Sequence, residues 1–139
     1  MKNIHTVLCT LGFLGLLTVP ASALAGESLG TFCFVDGPGN VWVLSAEDVG
    51  GGNLAVWGHV NHIPEALVST TTLNGSATLI DSTTLAVSLT QGLVLGGMAF
   101  HTLTIDMTTW SGNGVYTGIN PSGQTSGQIS YTLSQTDCP

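Results

Sequence analysis

The run His59-Val60-Asn61-His62-Ile63-Pro64-Glu65 places two imidazoles and a carboxylate within seven residues. With His101 brought alongside, these are nitrogen and oxygen donors of the kind zinc accepts. On an extended strand, residues three apart point to opposite faces, so His59 and His62 converge only if the chain bends between them. The plainer reading is a set of solvated loop histidines. A second set, Trp42, Trp57, Trp110 and Tyr131, has the ring systems that line small-ligand pockets. The same rings serve equally well as ordinary core.

Catalysis finds little to work with. The chain has no Gly-x-Ser-x-Gly elbow, and no lysine or arginine beyond Lys2 with which to hold a phosphate or an oxyanion. Asp36, Glu47 and Asp48 flank glycine-rich turns, but their spacing fits no calcium loop. They read as solvated turn carboxylates. The expectation is a protein without enzymatic activity and without a cofactor.

Residues 1–25 read as a secretory signal peptide. Lys2 is its positive start, Val7 to Val19 its apolar run, and Ala23-Leu24-Ala25 supplies the small residues for cleavage. Cys9 falls inside that apolar run. Cleavage after Ala25 leaves 26–139 as one domain, exported to the extracellular space or the periplasm. No later segment approaches the 18 apolar residues of a spanning helix, so no membrane insertion is expected after cleavage. The exported part holds all eight acidic residues and no Lys or Arg, a side-chain charge of −8 against −7 for the whole chain. Nucleic acid is excluded as a partner because phosphates need basic side chains. Anionic membranes and anionic substrates meet only repulsion.

Two cysteines remain after export, Cys33 near the start and Cys138 next to the end. In an oxidising compartment the simplest arrangement is one disulfide between them. Such a bond staples the first and last strands together, and the chain between must run round and return.

That intervening chain alternates Ser and Thr with apolar residues, broken by Gly and Pro, which is a grammar of strands and turns. Strands are expected at Thr31–Asp36, Val41–Glu47, Leu54–Asn61, Thr84–Gln91, Ala99–Asp106, Val115–Asn120 and Gly127–Thr136. Leu67–Leu73 and Ser76–Ile80 flank Asn74-Gly75, the residue pair of a type I′ hairpin turn. A straight strand kinked at Gly75 is the alternative. Gly92–Met98 reads as a long loop over one end, Ser111–Gly114 as a turn, and Asn120–Gly123 as a type I turn.

Eight or nine strands result. An antiparallel first and last strand require an even number in a simple meander, hence eight and a closed up-and-down barrel. A β-sandwich is the main alternative. Its usual disulfide joins mid-strand cysteines across two sheets, which a cysteine at the extreme terminus fits poorly. An outer-membrane barrel needs an apolar outer band, where this chain has Ser and Thr.

Gly30-Thr31-Phe32 resembles the Gly-x-Trp opening of the calycin barrels, the lipocalins and avidins. The resemblance implies a small up-and-down barrel. Phe32 stands where those proteins have tryptophan, and the arginine that lipocalins stack on it has no counterpart here; no binding residue carries over. The function expected is non-enzymatic binding of a small apolar or uncharged ligand, or of a protein partner. The alternative is a structural, self-assembling extracellular surface subunit.

Overall fold

A computed structural model describes residues 26–62 and 69–139. The expected signal peptide, 1–25, and Glu65 of the histidine run lie outside the described residues. Eight antiparallel strands close into one barrel in chain order. They are β1 (Glu27–Asp36), β2 (Val41–Gly50), β3 (Asn53–His62), β4 (Ser69–Leu79), β5 (Thr84–Gly92), β6 (Met98–Asp106), β7 (Ser111–Ile119) and β8 (Thr125–Gln135). This is a single round wall, as in the small calycin-like barrels, and not two facing layers.

Closure depends on a short seam. Between β1 and β8 only three residue pairs are in register, Phe34 with Gln135, Val35 with Ser134 and Asp36 with Leu133. The Cys33–Cys138 disulfide, with Cα atoms 5.2 Å apart, staples this seam. The Thr136 amide adds a hydrogen bond to the Cys33 carbonyl at 2.9 Å. A disulfide of this kind belongs to oxidising compartments.

The asparagine-glycine pair at 74–75 is not a hairpin turn. β4 runs straight through it, with Asn74 opposite Trp57 and Gly75 opposite Val56. The cause is close approach: a Cβ on Gly75 would run into the Ser88 carbonyl, and one on Gly58 into that of Val43. These glycines let the strands coil tightly enough to close the wall. Ser111–Gly114 is likewise the start of β7 and not a turn. The turn before it is Met107–Trp110, where Trp110 has φ of 48° and stacks on Phe32 at 4.9 Å. Asn120–Gly123 is a turn as expected, closed by the Gly123 amide on the Asn120 carbonyl at 2.9 Å.

Period-two alternation sets the inside and outside. Phe34, Leu44, Val56, Leu73, Val87, Leu103, Ile105 and Leu133 point inward and are buried. The outer face is a lattice of hydroxyls, including Thr72, Ser76, Ser88, Thr102, Thr104 and Thr132. A lipid-facing barrel has the opposite arrangement.

Candidate functional site

The two ends of the barrel differ. The turns at 50–53, 80–83 and 107–110 and the chain end after β8 gather at one end. There the inward side chains are Phe32, Phe34, Leu44, Ala46, Leu54, Val56, Leu85, Ile105 and Trp110, around a wholly apolar void of about 90 Å³. That is well below the roughly 300 Å³ at which ligand pockets begin. This end is core.

Among the described residues the other end is open. It carries the turns at 37–40 and 120–124 and the loop 93–97, which places the glycine-rich loop at this mouth. A cavity of about 1640 Å³ begins here, lined by Asp36, Trp42, His62, Gln91, His101, Tyr116, Ile129 and Tyr131. Its lining also includes outward-facing Thr102, Thr104 and Ser130. The figure therefore covers the interior mouth together with a groove over the outer wall, not a closed chamber. The inward positions of β7 explain why the wall is hollow on this side. They are Gly112, Gly114, Tyr116 and Gly118, facing Ile105, Leu103, His101 and Ala99 of β6. A Cβ on Gly114 would strike the Tyr131 ring at 2.7 Å, so the glycine is what lets that ring lie flat against the wall.

Polar side chains cross the mouth in one hydrogen-bonded chain from β8 to β3. Tyr131 Oη lies 3.1 Å from His101 Nδ1, and His101 Nε2 lies 2.9 Å from Gln91 Oε1. Gln91 Nε2 donates to Thr71 Oγ1, and Thr71 Oγ1 lies 3.0 Å from His62 Nε2. One assignment satisfies each of these contacts. His101 is neutral and donates from Nε2 to the Gln91 carbonyl; its Nδ1 accepts the Tyr131 hydroxyl proton. The Thr71 hydroxyl then donates to His62. Burial supports this assignment by lowering the His101 pKa from 6.5 to about 4. Burial, with a smaller contribution from the Asp36 charge, pushes the Tyr131 phenol upward, so it too stays protonated.

Asp36 closes the other side of the mouth. Its carboxylate accepts the Asn40 amide at 2.8 Å, the Asn40 side chain at 2.9 Å and the Trp42 indole at 3.1 Å. Trp42 in turn stacks on Tyr131 at 5.4 Å and meets the His101 ring edge-on at 5.1 Å.

No protein-family model, curated protein or solved structure matches the chain.

The residues singled out from sequence separate into distinct places. Trp42 and Tyr131 meet in the mouth. Trp110 lies at the packed end, lining the small apolar void. Trp57 is on the outer face, 42% exposed. Of the histidines, His62 and His101 face inward, linked through Gln91, whereas His59 pairs with Val43 and Thr72 on the outward face. β3 is continuous from Asn53 to His62, so the bend needed to join His59 with His62 is not there. Among the described residues no three His, Cys, Asp or Glu side chains come together as a metal site. Of the metal set His59, His62, Glu65 and His101, His62 and His101 face inward and are held by neutral partners, His59 faces outward, and Glu65 lies outside the described residues.

Gln91, Thr71, Tyr116 and Asp36 were missed as members of the site. Their signal was present: Gln91 continues the inward phase of Leu85, Val87 and Leu89, and Thr71 that of Leu73. A polar residue in an apolar phase is a place to look for a partner.

Proposed function

We propose that the protein is an exported, non-enzymatic binding module that takes a small, largely apolar ligand into the open mouth of its barrel. The observation that carries this reading is the difference between the ends. One is packed solid, while the other keeps a hollow beside Trp42, Tyr116 and Tyr131. Ligand sites are concave, mainly apolar, and equipped with a few fixed polar groups. The relay from Tyr131 to His62 supplies such groups, already oriented. The disulfide supports passage through an oxidising compartment, in keeping with residues 1–25 acting as an export signal.

Native mass spectrometry of the exported protein tests the reading. A discrete small-molecule adduct, lost on replacing Tyr131 and Trp42, is the expected result. A bare chain mass under gentle conditions, with no adduct regained from a cell extract, overturns it.

The structural reading draws on a different feature, the loop tip with Val94 and Leu95, the latter 91% exposed. Filaments or a defined oligomer of the exported protein, seen by electron microscopy, would favour it.

A further inference from the structure

We infer that the ligand of the mouth is an organic cation, an amine or quaternary ammonium carried on an apolar body, with Asp36 as its counter-ion and the tyrosine rings as its wall. This rests on the binding reading above and sharpens it, since composition alone led us to expect an apolar or uncharged guest.

Three observations combine. Asp36 is the one carboxylate among the described residues that line the cavity, and it sits at the mouth, half-buried. Its two oxygens are fixed by Asn40 and Trp42, all neutral donors, so the carboxylate is held in place and has no positive partner among the described residues. The second is the aromatic cluster beside it. Tyr116 and Tyr131 lie 6.3 Å apart, both only half-buried, with Trp42 stacked behind Tyr131. Ring faces carry negative charge and attract cations, most strongly where water is partly excluded.

The third is the field of the whole molecule. From residue 26 onward the chain has eight carboxylates and no lysine or arginine. A cleft in such a surface concentrates cations and repels anions. An uncharged apolar guest uses the walls but gains nothing from Asp36. A cation uses both. Trp42 joins the two, its indole donating to the Asp36 carboxylate and its ring stacking on Tyr131, so the charge lies against the aromatic wall of the cavity.

The test compares two probes of one shape, phenyltrimethylammonium and its uncharged isostere tert-butylbenzene, titrated into the full exported chain. Binding is followed by the NMR shift of the Trp42 indole proton. A merely greasy pocket takes the uncharged probe more tightly, because the cation must shed water. The inference expects the reverse, with the cation bound about tenfold tighter at low salt. That preference should shrink as salt is added. Asp36→Asn should cost the cation about tenfold more affinity than it costs the isostere. If that variant does not fold, the wild-type ratio decides alone. Equal or tighter binding of tert-butylbenzene overturns the inference about charge and leaves the mouth as a binding site. Failure of the cation to shift Trp42 at millimolar concentration overturns it too, while the adduct measurement judges the mouth independently.

Discussion

The same eight strands, with the same alternation, build two unlike interiors. Toward the packed end the inward positions are Phe32, Leu44, Val56 and Ile105, and little space is left between them. Toward the mouth they become Asp36, His62, Gln91 and His101, with Thr71 hydrogen-bonded behind them, interleaved with Trp42, Tyr131, Gly114 and Gly118. A barrel of this size just fills with side chains when all of them are large. Concentrating the large apolar residues at one level leaves the other level free to hold polar atoms. Those atoms then need partners, and the cross-barrel relay provides them. Stability is drawn mainly from one end, and chemistry is available at the other.

The largest effect should come from what holds both ends together. The disulfide spans a sequence separation of 105 residues at a seam with three paired residues. In the chain-entropy model, opening a loop of that length costs roughly 4–5 kcal/mol. Denaturant unfolding of the Cys33→Ala, Cys138→Ala protein should show this loss, or no folded state at all. A loss below about 1 kcal/mol would mean that the β1–β8 ladder closes the wall unaided. Within the packed end, Phe34 is 1% exposed. Phe34→Ala should cost about 3–5 kcal/mol, because the ring's neighbours are strands that cannot collapse inward. A cost near 1 kcal/mol would mean that the packed end is looser than its small void implies.

These predictions rest on features that the sequence made legible. The alternation of Phe32 and Phe34, or of Leu85, Val87 and Leu89, assigns each residue a face, and parity with the two cysteines assigns the closure. Alternation does not say how far along the barrel a residue sits. Trp42 and Trp110 share the inward face but occupy opposite ends, which only the register between strands determines. Trp57 fell on the outer face because His59 and Trp57 lie out of phase with Val56 and Val60. The signals at Asn74-Gly75 and Ser111–Gly114 misled for another reason. A glycine required by a neighbouring strand's backbone looks locally the same as one required by a turn, and tertiary context decides between them. Gln91 and Thr71 needed pairing with His101 across three strands before they made sense as a site.

Acid should separate the two ends next. The His101 pKa is about 4 in the folded protein against an ordinary 6.5. Between those values the unfolded chain binds a proton that the folded one does not. Stability therefore falls as pH drops from 6.5 toward 4, and this group takes no more below that. The loss should amount to roughly 2–3 kcal/mol. Asp81 and Asp106 have pKa values lowered from 3.8 by hydrogen bonds from Thr83 and Thr108, so their effects begin only in stronger acid. His101→Gln keeps a donor and an acceptor but cannot titrate. Its unfolding free energy should lose most of the wild-type slope across the 4–6.5 window, and a slope equal to that of the wild type would remove His101 as the cause.

The smallest effect tests whether the mouth is wet. Tyr131→Phe deletes the hydroxyl that donates to His101 Nδ1 and leaves the rest of the relay intact. If the cavity admits water, a water molecule takes over that donation, and the cost should fall near 0.5–1 kcal/mol. Gln91→Leu acts deeper, at a residue 5% exposed. It strips partners from both His101 Nε2 and Thr71 Oγ1 where water has less access. That substitution should cost about 1–3 kcal/mol. The order of the two matters more than either value. A Tyr131→Phe loss larger than that of Gln91→Leu would show that the hydroxyl is as sheltered as the amide, and the division of the barrel into a dry end and an open one would fail at the residue that defines its boundary.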